Sequence, residues 1–491
     1  MTDQTQQPAA PEPEIKYFEK RRKIYPRAVE GIYRRRKWFI MTVCLLIYYM
    51  APFIRWDRGP YAPDQAILLD MVNRRGYFFF IEMWPQEVYY LTGILVIAAV
   101  ALFFATSLLG RVWCGYFCFQ TVWTDLFIWV ERLVQGDRAE RQRLDASNWG
   151  WNKLWRKGLT HILWILIGMF TGGAFVLYFN DAPTLLMHIV QGEVSTTVLA
   201  FVFSLTFSTY LMAGFAREQV CTFMCPYARF QSAMFDEDSL IIAYDTVRGE
   251  PRGKHKKGDS WEGHGHCIDC TQCVQVCPMG IDIRDGLQIQ CIACGLCIDA
   301  CDSVMDKVGL PRGLVRYDTS RNMQAEAAHC GTGHAEAAVQ DAKSQRFNFI
   351  RPRTVYYSLV LSIVSAILLY SLITRPELEA HVLHDRNPLY VTLSSGDVRN
   401  GYTLNVLNKT LAPRDYTLRL EGPKDVAFVV SATQEVAANA LQAPADDVAH
   451  FRVFVRATAD GPDREPLIFI ISSNDGQSVA QVTDYFVRRG P

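Results

Sequence analysis

CIDCTQCVQVCPMGIDIRDGLQIQCIACGLCIDAC, residues 267–301, carries eight cysteines in one short segment. Their spacing is C-x2-C-x2-C-x3-C-P from Cys267 to Pro278, and C-x2-C-x2-C-x3-C from Cys291 to Cys301. Bacterial two-cluster ferredoxins use this run: three thiolates on a tight loop reach three corners of a 4Fe–4S cube, and the fourth thiolate crosses from the other half. On that logic Cys267, Cys270, Cys273 and Cys301 bind one cluster, and Cys291, Cys294, Cys297 and Cys277 bind the other. C-x2-C knuckles also suit zinc, but zinc takes its ligands in two pairs, whereas this run offers a triplet and a single, twice. Asp302 follows Cys301 where Pro278 follows Cys277, so the cluster that relies on Cys301 is expected to differ in potential. Such clusters pass single electrons and make no bonds unaided, so the segment reads as a wire.

The flanking sequence is membrane-like. Half of the 491 residues are hydrophobic, and acidic and basic side chains balance at 50 each. Zero net charge gives no electrostatic reason to expect nucleic acid as a partner. Apolar runs at Trp38–Ile54, Val88–Leu109, Leu159–Phe179, Thr196–Phe215 and Val355–Ile373 are each long enough to cross a bilayer, which takes roughly 17–25 residues. Lys and Arg concentrate before the first run, between the second and third, and before the fifth, and the segment 180–195 carries none. Positive charge in short flanks marks the cytoplasmic side. The expected topology has a cytoplasmic N-terminus (1–37), a four-span region (38–225), a cytoplasmic insert (226–353), a fifth span (354–374) and an external tail (375–491). The loop 55–86 is less regular: it is placed outside, yet holds Arg55, Arg58, Arg74 and Arg75, and its GYFFFIEMWP segment is expected to lie along the interface. The N-terminus lacks the order of a cleaved signal peptide.

All fourteen cysteines precede the external tail. Disulfides belong in oxidising compartments, so this distribution points to metal ligands. Two pairs stand at the membrane edge: Cys114 and Cys118 after the second run, Cys221 and Cys225 after the fourth. On a helix, residues four apart share a face at roughly 5–6 Å, so each pair could clasp a soft ion, and both together could build one site. Buried small residues are the plainer reading, which fits Cys44 alone inside the first run. Thiolates, with Met224 nearby, select Cu(I), zinc or iron–sulfur clusters over hard ions. Zinc has no redox use for a wire. Copper accepts one electron, and a third iron–sulfur cluster is its rival.

GRVWCGYFCFQTVW (110–123), REQVCTFMCPYARFQSAMF (217–235) and the double cysteine run resemble the CcoG/FixG/RdxA family of accessory proteins in cbb3-type cytochrome oxidase assembly. The resemblance covers nearly the whole chain. It implies a multidomain integral membrane protein of the bacterial inner membrane: a five-span helical bundle, a cytoplasmic ferredoxin-like insert with two 4Fe–4S clusters, and a C-terminal immunoglobulin-like β-sandwich in the periplasm. It implies cupric reductase activity, with copper as substrate at Cys114, Cys118, Cys221 and Cys225. It also implies a cytoplasmic electron donor, and copper-delivery proteins or oxidase subunits as partners. The first pair departs from the family's C-x3-C-P, with Phe119 in place of proline. Two other functions share these motifs: a relay subunit passing electrons to or from quinone or a respiratory partner, and a non-catalytic assembly scaffold.

Elsewhere, His255, His264 and His266 read as a hydrated loop, and His329, Cys330 and His334 as part of a linker. His161 lies inside the third run, where an ionisable residue is a functional candidate, although helix packing would also explain it. From about Arg375 the pattern alternates apolar and polar residues between turns, the mark of half-buried strands. Tyr402, Leu404 and Val406, and Tyr416, Leu418 and Leu420, are expected to point into the core of a cysteine-free sandwich.

Overall fold

The computed structural model describes residues 23–255, 260–330, 349–431, 435–436, 441–474, 476 and 478–489. The chain forms two compact units: one comprises Met1–Leu46, Val100–Gly173 and Leu199–Ser358, the other Ile47–Ala99, Ala174–Val198 and Leu359–Pro491. The principal helices are α1 (Ile32–Met50), α2 (Val88–Leu109), α3 (Phe119–Gln135), α4 (Arg138–Ala146), α5 (Trp151–Val176), α6 (Ala182–Gln191), α7 (Thr196–Met224), α8 (Pro226–Met234), α9 (Leu296–Val308), α10 (Ser320–Cys330) and α11 (Pro352–Ile373).

Among the described residues, four helices are long and apolar enough to cross a membrane: α2 with its lead-in from Pro85, α5, α7 and α11. The expected first span is not one of them. Helix α1 begins at Ile32, so Arg34, Arg35, Arg36 and Lys37 occupy its first turns, and its helical backbone tightens after Met50 into the short turn Ala51–Phe53. Arg34 and Lys37 are buried rather than solvated, because both face Asp125 of α3, at 2.7 and 3.9 Å. Where α5 meets α7 the backbones come close. A Cβ added at Gly172 would lie 2.9 Å from the Val202 carbonyl, and one at Gly168 would lie 3.1 Å from that of Thr206. Small residues four apart permit such contact between apolar helices.

Strands β1 (Ile67–Asp70), β2 (Arg75–Phe78) and β3 (Ile81–Met83) form an antiparallel meander, so the GYFFFIEMWP segment is largely strand. The arginines that disturbed the charge pattern have local work here. Arg58 donates to the carbonyls of Pro63, Gln65, Ala66 and Phe79, Arg55 pairs with Asp181 at 2.7 Å, and Arg75 pairs with Asp446 at 2.7 Å. In the other unit, β4 (Ile241–Tyr244) and β5 (Val315–Asp318) pair antiparallel and bracket the cysteine-rich segment.

The C-terminal domain is a two-sheet sandwich. Its strands are β6 (Leu378–His384), β7 (Val391–Thr392), β8 (Val398–Asn408), β9 (Arg414–Glu421), β10 (Ala427–Ser431), β11 (Glu435–Val436), β12 (Leu441–Ala443), β13 (Asp447–Ala457), β14 (Arg464–Ser473) and β15 (Val479–Val487). One sheet runs β11-β10-β13-β8-β6 with β7 also on β8, and the other runs β12-β9-β14-β15. Because side chains alternate across a strand, the register that sets Tyr402 opposite Val453 and Leu404 opposite Phe451 sends all four inward. Tyr416 and Leu418 are buried as expected, and Leu420, nearer the strand end, is half-buried. Polar groups in this core are satisfied: the Tyr402 hydroxyl donates to the Tyr485 carbonyl at 2.8 Å, and the Asn400 amide donates to that of Val487 at 3.0 Å.

Candidate functional site

The eight cysteines of 267–301 line two small cavities that share Cys273. Cys267, Cys270, Cys273 and Cys301 line one small cavity together with Tyr244, Arg284 and Leu314. Cys277, Cys291, Cys294 and Cys297 line a second, closed by Ile242, Ile281 and Leu296, with Cys273 between the two. The fourth ligand of the first set, Cys301, comes from the interior of α9. That explains Asp302: a proline inside a helix would cost about 3 kcal/mol. The Asp302 carboxylate accepts instead from the Gly313 backbone N–H at 3.0 Å.

The loops also share a backbone. The residues on either side of each middle cysteine are left-handed: Asp269 (φ 51°) and Thr271 (φ 55°) around Cys270, Ala293 (φ 53°) and Gly295 (φ 76°) around Cys294. Three are not glycine, and such conformations concentrate where ligands are held. Burial pushes the thiols of Cys273 and Cys291 up to about 11 and those of Cys277 and Cys301 to about 12, with neighbouring cysteines adding to the shift. Soft sulfurs gathered around these two cavities, most of them out of solvent, fit 4Fe–4S clusters, whose iron takes the place of the protons. Bound there, the clusters would supply single electrons.

At the membrane edge the cysteine pairs do not share an α-helical face. In each motif the backbone widens into a π turn, Trp113–Phe117 and Val220–Met224, and the second cysteine leaves the helix with extended backbone. The N–H of Cys118 bonds the Trp113 carbonyl at 2.9 Å, and that of Cys225 bonds the Val220 carbonyl at 2.8 Å. Each second cysteine then caps the next helix, and Phe119 takes the first helical position that Pro226 takes in the other motif. Phe119 therefore preserves the loop geometry. The two motifs are structural repeats, and π turns occur frequently at functional sites.

The four thiols are electrostatic neighbours. Burial pushes Cys114 up to about 12, Arg111 pulls it down, and Cys118, Cys221 and Cys225 each push it further up. Among the described residues, no three His, Cys, Asp or Glu side chains stand as a ready single-ion site. Residues that spacing could not reveal surround Cys114. Its thiol donates to Gln231 Oε1 at 3.3 Å, and Gln231 is fully buried. The Arg111 guanidinium donates to the carbonyls of Ile289, Ala228 and, at 3.2 Å, Cys291. Only the position of Arg111, between an apolar helix and the motif, hinted at a role.

This turn also rests on the second cysteine loop. Cys114 packs with Ile292, Cys294 and Cys297 in one apolar cluster, and the Tyr116 hydroxyl donates to the Cys294 carbonyl at 3.0 Å. Gly115 allows the approach: a Cβ there would lie 2.7 Å from the Ile292 carbonyl oxygen and 3.1 Å from that of Ala293. Cys221 lines a small pocket with Pro278, Met279 and Ile292 of the insert. Both membrane-edge motifs thus border the loop of Cys291, Cys294 and Cys297.

The remaining candidates are quieter. His255 stacks on Trp261 at 3.7 Å, and His266 accepts from Arg248 at 2.9 Å. Cys44 is part-buried in α1. His334 and the side chains of His329 and Cys330 lie outside the described residues.

Fold and site together define an iron–sulfur electron-transfer protein of oxidoreductase type, with helices of membrane-spanning length. Residues 216–320 match a family model described as "4Fe-4S dicluster domain", 91–135 one described as "4Fe-4S binding domain", and 368–489 one described as "IG-like fold at C-terminal of FixG". The chain is 47% identical to nitrogen fixation protein FixG of Rhizobium meliloti, over 89% of its length and 87% of that protein. It is 47% identical to RdxB of Cereibacter sphaeroides, covering 91% of each, and 45% identical to RdxA of the same organism, over 81% and 82%. The chain belongs to the FixG/RdxA/RdxB family.

Proposed function

We propose that the protein is a membrane-bound cupric reductase that supplies Cu(I) for the copper centre of a cbb3-type oxidase. The carrying observation is the packing of Cys114 in one apolar cluster with Cys294 and Cys297, which sets the membrane-edge thiols beside a cluster-binding loop. The reaction is Cu(II) plus one electron giving Cu(I). Cys114, Cys118, Cys221 and Cys225 offer the soft sulfur that favours the reduced ion. Arg111 favours the thiolate of Cys114, and Gln231 orients it. In this reading copper is a passing substrate, released to delivery proteins or oxidase subunits.

The arrangement in the bacterial inner membrane has five crossings, the first formed by α1 and its following turn. The N-terminus and the clusters face a cytoplasmic electron donor, and the sandwich faces the periplasm. The decisive experiment is Cu(II) reduction by purified, anaerobically reduced protein, read with a Cu(I)-specific chromophore. Wild type is compared with a variant carrying alanine at all four membrane-edge cysteines. Reduction lost in the variant while its cluster spectrum is intact supports the reading. Equal reduction by both would sink it and favour a relay to another acceptor.

A second reading has its own support. Within 91–135, matched by a 4Fe–4S family model, the only cysteines are Cys114 and Cys118. Together with Cys221 and Cys225 they would make the four ligands of a third cluster. Iron analysis separates the readings, since the same variant would then lose one cluster's iron.

A further inference from the structure

Within the first unit, α3, α5 and α7 border a cavity of about 570 Å³. That volume falls in the range of roughly 300–1,000 Å³ typical of small-molecule sites. Trp149, Leu154, Trp164 and Phe215 make an apolar, aromatic wall, and His161 projects among them from the apolar part of α5.

The charged residues at its rim are already committed. Asp145 is held by Lys23 and by Lys157, each at 2.6 Å, and Glu131 is held by Arg217 at 2.8 Å and Arg141 at 3.0 Å. The Lys153 ammonium donates to the carbonyls of Asp145 and Ser147. A phosphate headgroup would have to break these pairs, whereas a neutral headgroup would leave them intact.

His161 supplies the neutral contact. Its ring lies nearly parallel to Phe215 at 6.0 Å and edge-on to Trp164 at 5.2 Å. Its Nδ1 stands 3.1 Å from the Tyr210 hydroxyl, and among the described residues Nε2 has no hydrogen-bond partner. If the hydroxyl donates to Nδ1, Nε2 carries the proton and donates. If it accepts from Nδ1–H, Nε2 is an acceptor. One ring can therefore serve a ligand oxygen that is a carbonyl in one redox state and a hydroxyl in another. Arg217 and Glu218 line both this cavity and the pocket that holds Cys221, so the two spaces share a wall.

We propose that this cavity binds the headgroup of a membrane quinone, in either redox state, with His161 hydrogen-bonded to one ring oxygen and the aromatic wall against the ring. The inference is independent of the copper reading, since it concerns binding alone.

The test is equilibrium binding of decylubiquinone to the full-length, cluster-loaded protein in detergent, followed by quenching of tryptophan fluorescence. A Cβ at Gly158 meets nothing within 4 Å. Gly158→Leu therefore starts from open space at its Cβ and sends the rest of its side chain into the cavity, and leucine favours a helix more than glycine does. Saturable quenching is expected in wild type. Kd should rise at least about tenfold in Gly158→Leu and in His161→Leu, with partial recovery in His161→Gln. If Gly158→Leu fails to fold, the two His161 variants decide alone. Quenching that no variant alters overturns the proposal. So does displacement of decylubiquinone by phosphatidylglycerol, which would make this an anionic-lipid site.

Discussion

In the loop 267–273 the middle cysteine, Cys270, is exposed, and Arg284 reaches over the cavity to pair with Asp269 and Asp282. In the loop 291–297 the middle cysteine, Cys294, is buried, with Tyr33 against Gly295 and the turn 111–116 against its carbonyls. Spacing and backbone are the same, and the surroundings are not. Ligand spacing decides what is bound, and the neighbours decide what the bound group can reach. The first loop is open to solvent at Cys270. The second is enclosed beside the membrane-edge thiols.

The strongest way to break this contrast is to remove one ligand from each set. Cys297→Ser should lose half of the iron held by 267–301 and also lower the melting temperature sharply, because ligand binding there is coupled to folding of a buried core. Cys270→Ser should lose the other half with a smaller drop in melting temperature. Iron analysis and thermal melts would check this, and equal drops would erase the distinction. Next in size is Gly115→Ala. Its Cβ meets backbone oxygens that cannot swing away, so a loss of about 1–3 kcal/mol is expected. Hydrogen exchange should then rise in 291–297 and not in 267–273.

A paired test compares the left-handed residues themselves. Gly295→Ala faces both the backbone penalty, about 1–2 kcal/mol, and the Tyr33 ring, 2.7 Å from the added Cβ. Thr271→Gly, at the equivalent place, should be neutral or mildly stabilising. Denaturant titration of the loaded protein would read both. The smallest effect concerns electrostatics. Arg284 draws the Cys273 thiol down against burial, and the same positive charge favours added electrons. Arg284→Leu should lower the first cluster's potential by something on the order of tens of millivolts and leave the second unchanged. A spectroscopic redox titration would settle the sign.

Much of this was legible in the sequence. The crossed grouping of Cys277 and Cys301 follows from triplet spacing alone, and alternation in 389–474 placed Tyr402 and Leu404 inward. What stayed hidden depended on tertiary contact. Four-residue spacing reads as one helical face, and nothing local announced the π turns that separate Cys114 from Cys118. Counting apolar residues to Ile54 could not foresee that Asp125 would bury Arg34 and Lys37 at the head of α1. The roles of Gly115, Tyr116 and Gln231 exist only because segments more than a hundred positions away return to meet them.

The sandwich beyond Arg375 contains no cysteine and closes on Tyr402, Phe469 and Phe486. It can therefore mature without any metal, while the insert cannot. In a cell starved of iron, newly made chains should carry a finished C-terminal domain next to an unfinished insert. Proteases would find 216–320 first, and the intact tail would accumulate as a fragment that reports on iron supply.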